Sequence, residues 1–290
     1  MNSFQAGILA EIPRFGRYAF FDLSKGASAD AIKDALSRIA PKPQQVDFVV
    51  GIGLQTAQAV GYQVAGLREF STIKGVPSTP AALLLWLRGD EGAKPLMVLE
   101  QALCAELAPA FVLRESVAAF KHTVGNDDTA RDLTGYEDGT ENPKGKKAME
   151  CAFLESDDKV LNRSSFLALQ RWQHDWEAFR AMPVKQQDYA IGRRKSNNEE
   201  LEDAPISAHV KRTAQEDFDP EAFVLRRSMP WRDKNGAGLM FAAFGKSFDA
   251  FEAQMHRMAG MDDGVVDGLF QFSKPLTTSY FWCPPAIMNV

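Results

Sequence analysis

The 290-residue chain has little cysteine, no basic excess and no long apolar segment, and each absence excludes a class of protein. Its cysteines, Cys104, Cys151 and Cys283, form neither a CxxC pair nor a zinc spacing, and their odd number favours a reducing compartment. A formal net charge of −5 suits a soluble protein and argues against a nucleic-acid partner. No stretch reaches the roughly 18 apolar residues of a membrane span, and residues 1–13 lack the features of a signal peptide. We therefore expect a cytoplasmic protein without a membrane partner.

Nucleotide-binding and hydrolase motifs are also missing. Gly51 and Gly53 follow an apolar strand pattern, but the third glycine of a dinucleotide fingerprint is absent. The chain has neither a Walker motif nor a GxSxG sequence.

The first half of the chain alternates strand and helix patterns. Apolar or β-rich runs predict strands at 17–23, 46–52, 82–88 and 111–120. Helical spacing predicts one helix at 29–39, capped by Ser28, and another at 94–107. This order of elements is that of a split βαβ, or ferredoxin-like, unit.

The second half repeats the order without detectable sequence identity. Strands are predicted at 223–228, 239–244 and 276–283, with a helix at 175–182. The pattern at 165–172 suits a helix or a strand, and a strand is favoured. A further helix carries an apolar face made of Phe248, Phe251, Met255 and Met258. We therefore predict an α+β protein of two tandem ferredoxin-like domains with antiparallel sheets, residues 1–145 and 146–290.

A polar segment at 125–147 lies where the two halves should meet. Within it, Gly135–Pro143 (GYEDGTENP) places two glycines, three acidic residues and a proline in nine positions. The pair Asp138-Gly139 predicts a tight turn that fixes the direction of the Asp138 carboxylate. A solvated surface turn and a calcium loop are alternatives, although the acidic spacing does not match an EF-hand. The polar residues just before Gly135 are predicted to form a solvated acidic loop: Asn126, Asp127, Asp128 and Asp132.

The four histidines have different settings. His174, between a strand and a helix, is predicted to be a polar surface or capping residue. His256 lies off an apolar helix face and is expected at the surface or a helix edge, while His122 is ambiguous. His209 lies among small and apolar residues and is either a core residue or a metal ligand. One histidine cannot build a zinc site, but it suffices as the single axial ligand of a haem.

Two adjacent arginines, Arg226 and Arg227, interrupt an apolar strand pattern. One of the two should face inward, because successive side chains of a strand alternate between its faces. A buried arginine needs an anionic partner. A haem propionate, a carboxylate or a structural salt bridge would each serve.

The chain resembles the dye-decolorizing peroxidases, in particular the short bacterial members without a secretion signal, over essentially its whole length. The most specific feature is the GxxDG signature, present here at 135–139 and extended as DGTENP. Further similar segments follow in the family's order: RWQHD at 171–175, IGRRK at 191–195, SAHV at 207–210, LRRSMP at 225–230 and FSKPLT at 272–277.

The resemblance implies one haem b per chain, held in a pocket of the C-terminal domain. It implies that His209 is the proximal iron ligand and that Asp267 is the acidic partner of this histidine. Asp138 and Arg226 correspond to the distal catalytic pair, and Ser228 stands where relatives carry Asn or Ser.

The resemblance also implies contacts between the chain and the cofactor next to this pair. Arg194 is expected to contact a propionate, although Arg193 is adjacent and the choice is open. Gly139 and Thr140, which follow the distal aspartate, are expected to border the cofactor.

The implied activity is that of a peroxidase, which uses hydrogen peroxide to oxidise dyes, phenols or other small aromatic reductants through a high-valent iron-oxo intermediate. Asp138 would move the peroxide proton, and an ordinary carboxyl pKa of about 3.9 would keep it ionised at most pH values. Arg226 would stabilise developing negative charge, and Ser228 would order a water or peroxide. Asp267 would make the His209 imidazole more electron-rich.

Several alternatives stay open. Bulky dyes are expected to be oxidised at the surface through Trp231 or Tyr136, unless these are ordinary packing aromatics. The runner-up function is haem handling, either iron removal from haem or porphyrinogen oxidation, and a haem-free binding module is a third possibility. A homo-oligomer, dimeric or larger, is expected from the resemblance.

Overall fold

The computed structural model describes residues 4–42, 45–125 and 127–286, and these contain eleven β-strands and eight α-helices. The strands are β1 (Phe15–Leu23), β2 (Phe48–Ile52), β3 (Leu83–Gly89), β4 (Phe111–Phe120), β5 (His122–Val124), β6 (Asp127–Arg131), β7 (Ser165–His174), β8 (Leu225–Arg226), β9 (Met229–Asp233), β10 (Gly236–Gly245) and β11 (Ser273–Cys283). The helices are α1 (Ala29–Arg38), α2 (Leu54–Val60), α3 (Ala93–Leu107), α4 (Gly145–Ala152), α5 (Trp176–Ala181), α6 (Val184–Ile191), α7 (His209–Arg212) and α8 (Asp249–Met258). Short 3₁₀ turns lie at Ala6–Ile8, Gln215–Asp217 and Gly268–Gln271.

The N-terminal half has the predicted ferredoxin-like order of elements. Its strands lie side by side as β2-β3-β1-β4, all antiparallel, with α1 between β1 and β2 and α3 between β3 and β4. The predicted cap is present, since the Ser28 side chain accepts the backbone N–H of Ala31 at 3.2 Å. Such a cap typically contributes about 1 kcal/mol to helix stability.

The C-terminal half repeats this arrangement as β11-β7-β10-β9, again antiparallel. The prediction of one strand over 223–228 is wrong, because β8 has only two residues and β9 starts at Met229. The interruption has a local cause. The backbone of Arg226 bonds to the Asn142 side chain, which donates to its carbonyl at 3.0 Å and accepts its N–H at 2.8 Å.

The two halves share one sheet rather than two separate ones. β11 pairs with β2 at Trp282 and Ile52, and β4 pairs with β9 at Ala119 and Trp231, so eight strands close into a ring. Side chains from every strand of the ring form one apolar cluster. The strand side chains that point to the opposite face form a second apolar cluster with side chains of α1, α3 and α8. One cluster therefore fills the inside of the ring, and the other packs between its outside and the helices. Both faces are apolar because successive side chains of a strand point to opposite faces.

The thiols of Cys104, Cys151 and Cys283 are free. Within the described residues, no helix combines the length and the apolar character needed to cross a membrane.

Candidate active site

A cavity that is partly open to solvent lies between the C-terminal part of the sheet, α8 and the loop that follows β6. The wall formed by β10 and α8 is apolar except for Gln254; its apolar members are Leu239, Phe241, Phe251, Met255 and Met258. The charged or imidazole side chains that line the cavity are Asp132, Glu137, Asp138, His174, His209 and Arg226.

His209 is oriented by a fully buried carboxylate. Its Nδ1 lies 2.9 Å from Oδ2 of Asp267, whose side chain is 0% exposed. A carboxylate only accepts hydrogen bonds, so Nδ1 carries the hydrogen, and in the neutral imidazole Nε2 then has the lone pair. Asp267 is itself fixed, because its Oδ1 accepts the backbone N–H of Leu269 at 2.8 Å. The structure therefore brings together His209 and Asp267, the two side chains that the resemblance implied are partners.

Close backbone packing places His209 against the cavity. It is the first residue of α7, and α6 ends next to it at Gly192, which has a φ of +95°. A Cβ at Gly192 would lie 2.3 Å from Cγ2 of Val210, so only glycine allows this approach. Gly268 bonds to the carbonyl of Ser207 at 2.7 Å, which ties the Asp267 segment to the His209 segment.

The loop that carries Asp138 is a tight turn, as predicted. The N–H of Asp138 donates to the carbonyl of Ala130 at 3.0 Å, and Gly139 has a φ of +86°. The carbonyl of Gly139 accepts the N–H of Asn142 at 3.1 Å. Because the Asn142 side chain also bonds to both backbone groups of Arg226, one asparagine connects the Asp138 turn to the Arg226 strand.

Arg226 faces the cavity, whereas Arg227 points to the other side of the strand. Arg227 donates to the carbonyls of Ile8 and Leu9 at 3.1 and 3.0 Å. The Nε of Arg226 is buried and has no partner among the described protein atoms. A buried guanidinium nitrogen without a partner leaves a donor available to an anionic or polar ligand.

Burial raises the pKa of the Asp138 carboxyl above its ordinary value, although the nearby positive charge of Arg226 acts in the opposite direction. The expectation of an unperturbed carboxyl is therefore wrong. Asp138 also lines a second, solvent-open cavity that borders Lys121 and Lys144. The carboxyl thus lies in the wall between the first cavity and a route to solvent.

His174 and Asp132 contradict their predictions. His174 is only 9% exposed, and its Nε2 lies 3.0 Å from Oδ1 of Asp132. Its Nδ1 lies 2.8 Å from the hydroxyl of Ser273. Asp132 faces the same cavity instead of solvent, because Thr134 and His174 supply hydrogen bonds that a solvated loop would take from water. The neighbouring Asp127 and Asp128 are exposed as expected, and Asn126 lies outside the described residues.

The burial of Asp132 does not keep it protonated. Burial alone would raise its pKa, but the charge and hydrogen bond of His174 and two hydrogen bonds from Thr134 outweigh it. The pKa of Asp132 therefore lies below its ordinary value, and the group is a carboxylate.

Five predicted cofactor or catalytic residues do not line the cavity: Gly139, Thr140, Arg194, Ser228 and Asp267, of which Asp267 lies behind His209 and bonds to it. Ser228 is 4% exposed, and its hydroxyl has no partner among the described protein atoms. Gly139 lines the neighbouring open cavity, and the exposed Thr140 accepts a hydrogen bond from Asn198 at 2.9 Å.

The two candidate propionate arginines have different surroundings. Arg193 donates to Glu141 at 2.6 Å and to Glu200 at 2.8 Å. Arg194 is half exposed and has a looser ion pair with Glu199 at 3.5 Å. Arg193 is therefore held by two carboxylates, and Arg194 is freer to move.

The two aromatic side chains proposed as surface electron relays are both buried. Trp231 is 1% exposed and donates to the carbonyl of Trp172 at 2.8 Å. Tyr136 is 5% exposed, lines the cavity and donates to Asp188 at 2.6 Å. Neither side chain is a surface contact for a dye.

Comparison with known proteins bears on this geometry. Residues 129–288 match the sequence family described as Dyp-type peroxidase, C-terminal. The dye-decolorizing peroxidase of Rhodococcus erythropolis is 27% identical over 96% of this chain and 86% of its own length. A Shewanella oneidensis structure assigned as a dyp-type peroxidase aligns with a TM-score of 0.89, at 27% identity over 99% of this chain and 97% of that chain. A variant of DypB from Rhodococcus jostii RHA1, solved in complex with heme, aligns with a TM-score of 0.82, at 25% identity over 96% of this chain and 95% of that chain.

The matched segment covers more than half of the sequence and contains Asp138, His209, Arg226 and Asp267. The Shewanella oneidensis structure covers almost the whole of this chain, so the two proteins share a fold at 27% sequence identity. The chain belongs to the dye-decolorizing peroxidase family.

Proposed function

We propose that this chain is a haem peroxidase that reduces hydrogen peroxide and oxidises dyes, phenols or other small aromatic reductants, with one haem b in the cavity described above. The observation that carries this proposal is that one oriented imidazole, the Asp138 carboxyl and the Arg226 guanidinium surround the same cavity. These are the groups that peroxide reduction at a haem iron requires.

The residues of the cavity fit a haem. The lone pair of His209 Nε2 is available to iron, because Nδ1 is bonded to Asp267. The apolar wall of β10 and α8 suits a flat macrocycle, and the unpaired Nε of Arg226 suits an anionic ligand. The bound haem would supply the redox chemistry, and the protein would supply the binding, orientation and electrostatics.

Asp138 is proposed to take the proton from one peroxide oxygen and return it to the other. Its raised pKa suits a group that must both accept and release a proton. Arg226 is proposed to stabilise the negative charge that develops on the oxygens as their bond breaks. The open cavity beside Asp138 is proposed as the route for peroxide and water.

The remaining predicted contacts are kept as proposals. Arg194 is proposed to reach a propionate, because Arg193 is already paired with two carboxylates. Gly139 and Thr140 are proposed to border the cofactor, and Ser228 to hold a water next to the Arg226 segment through its unpaired hydroxyl. A homo-oligomer and a cytoplasmic location are proposed from the resemblance, and the three free thiols agree with a reducing compartment.

The proposed function predicts peroxide-dependent oxidation of an anthraquinone dye and of guaiacol by the haem-loaded protein. Each should stop when peroxide is omitted, and the haem-free chain should be inactive. The product of incubation with haem alone distinguishes the runner-up function. Free protoporphyrin formed without peroxide, together with no dye turnover, would reject the peroxidase in favour of haem handling.

Replacing Asp267 by Asn should weaken the hydrogen bond that makes the His209 imidazole electron-rich. The neutral amide accepts a weaker hydrogen bond from Nδ1 of His209, so the imidazole becomes a poorer electron donor. We expect a more positive iron reduction potential and a peroxide reaction slower by about 10–100-fold. Spectroelectrochemistry and stopped-flow absorbance measure the two effects. An unchanged potential in a variant that retains its haem would show that Asp267 only supports the fold.

A further inference from the structure

Three side chains of the cavity wall form a hydrogen-bonded row that the proposed peroxide chemistry does not use: Asp132, His174 and Ser273. His174 is in the middle, 3.0 Å from Asp132 through Nε2 and 2.8 Å from Ser273 through Nδ1. The other carboxylate oxygen of Asp132 accepts both the N–H and the hydroxyl of Thr134, at 2.8 and 2.5 Å. All three members of the row line the same cavity as Asp138.

The row can hold His174 in either charge state. Nε2 carries a hydrogen in both states, because the Asp132 carboxylate only accepts. In the neutral state the Ser273 hydroxyl donates to Nδ1. In the charged state Nδ1 donates to the same oxygen, and the hydroxyl turns to the carbonyl of Gln173, 3.4 Å away. A second proton therefore enters the imidazole without leaving a polar atom unpaired.

The charge of Asp132, one member of this row, acts on Asp138. Asp132 and Asp138 are held at the two ends of one loop by backbone hydrogen bonds from Asp132 to Tyr136 at 2.9 Å and from Asp138 to Ala130 at 3.0 Å. The negative charge of Asp132 makes Asp138 bind its proton more tightly, since two nearby carboxylates resist joint ionisation. When His174 is charged, it neutralises Asp132 and removes this repulsion.

We propose that Asp132, His174 and Ser273 form a charge-compensating unit that keeps Asp138 able to accept the peroxide proton as the solution becomes acidic. His174 thus acts on the charge of Asp138 through Asp132 and takes no direct part in the peroxide reaction. Histidine is suited to this role, because it is the side chain whose charge ordinarily changes between pH 5 and 8. The inference rests on the proposed peroxidase function.

Other charged groups around Asp138 do not replace the row. Arg226 is permanently positive, so it lowers the proton affinity of Asp138 equally at every working pH. Glu137 is paired with Arg131 at 2.9 Å and with Asn198 at 2.7 Å. The imidazole of His209 is bonded to Asp267 and is the expected iron ligand. Among the described residues that line the cavity, His174 is thus the imidazole that bonds to Asp132 and is not the expected iron ligand.

Two substitutions in the row test the proposal. They should move the acid midpoint of the peroxide reaction, the pH at which its rate falls to half, in opposite directions. His174→Gln keeps a donor towards Asp132 but cannot become charged, so Asp138 should be protonated more readily in acid. Asp132→Asn removes the negative charge, so Asp138 should stay ionised further into acid. The acid midpoint of the peroxide reaction should therefore rise by about one pH unit in His174→Gln and fall by about one unit in Asp132→Asn.

A binding measurement on the haem-loaded protein supplies the second readout. Hydrogen cyanide is a weak acid that must give its proton to a nearby base when it binds to iron. The pH at which cyanide affinity falls, followed by the Soret shift, should move in the same two directions. His256→Gln on α8 is the matched control, because this side chain is half-buried and does not line the cavity. Its midpoints should equal those of the unmodified protein.

The outcomes separate this inference from the proposed function. If the two variants move the midpoints in the same direction, or not at all, the row is only structural and the inference is overturned. If Asp132→Asn does not fold, Ser273→Ala keeps the Asp132–His174 pair and should raise the midpoint by less than His174→Gln. An unchanged midpoint there would also overturn the inference. If the unmodified protein binds cyanide but does not react with peroxide at any pH, the proposed function fails instead.

Discussion

The His209→Ala variant is expected to lose its haem during gel filtration and to lose the peroxide reaction. His209 is the side chain whose Nε2 is left available by the bond to Asp267, so its removal leaves the iron without a protein ligand. The loss should exceed the roughly 10–100-fold that removal of an outer partner costs. The ratio of Soret to 280 nm absorbance after gel filtration measures haem retention, and stopped-flow absorbance measures the reaction.

A rescue and a control make this result specific. Imidazole added to His209→Gly should restore part of the peroxide reaction, because it can occupy the space of the missing ring. His256→Ala should keep its haem, since this histidine does not line the cavity. Full haem retention and an unchanged reaction in His209→Ala would remove His209 from the site.

The Arg226→Ala variant is expected to slow the cleavage of the peroxide O–O bond by on the order of 10²–10³-fold. Arg226 is a fixed positive charge next to the proposed peroxide site, and water cannot replace it in a cavity with an apolar wall. Stopped-flow absorbance at several peroxide concentrations separates cleavage from binding. Arg232→Ala, an exposed position on β9, is the matched control and should react normally.

The same measurement on Asp138→Ala should show a smaller loss. Asp138 adjoins the open cavity, so water that enters there can carry the proton in its place. A larger loss in Asp138→Ala than in Arg226→Ala would contradict this order and make proton transfer the limiting role.

The local order of elements could be predicted from the sequence, because each strand and long helix has its own periodic pattern. The apolar spacing that predicts α8 describes a face that is buried, and Phe251, Met255 and Met258 on it line the cavity. The closure of two half-sheets into one ring could not be predicted. The strands that meet at the two junctions are distant in sequence, and in the described residues each junction is marked by one backbone-paired position, Trp282 with Ile52 and Ala119 with Trp231.

The contact between His209 and Asp267 could be predicted, because the resemblance to the family implies that these two side chains are partners. It was not predictable for His174 and Asp132, which are 42 positions apart. Nothing in the local sequence of either residue indicates a buried hydrogen bond between them, because their burial depends on how the loop after β6 folds over the end of β7. The role of Asn142 was hidden in the same way, since its side chain bonds to backbone atoms of Arg226, which any residue possesses.

The pKa of Asp138 shows a further limit of sequence reasoning. The carboxyl was expected to be ionised because aspartate ordinarily is. Burial raises its pKa, and the charge of Arg226 opposes the change. Only the folded chain determines how these two effects combine, because a sequence does not state how deeply a turn residue is buried.

The absorption spectrum of the haem-loaded protein, recorded before and after one equivalent of hydrogen peroxide, tests the central claim most directly. We expect a Soret band that depends on His209, a rapid spectral change on addition of peroxide, and a return to the starting spectrum when an aromatic reductant is added. A protein that fails to bind haem, or one whose haem spectrum is unaffected by peroxide, would contradict the account.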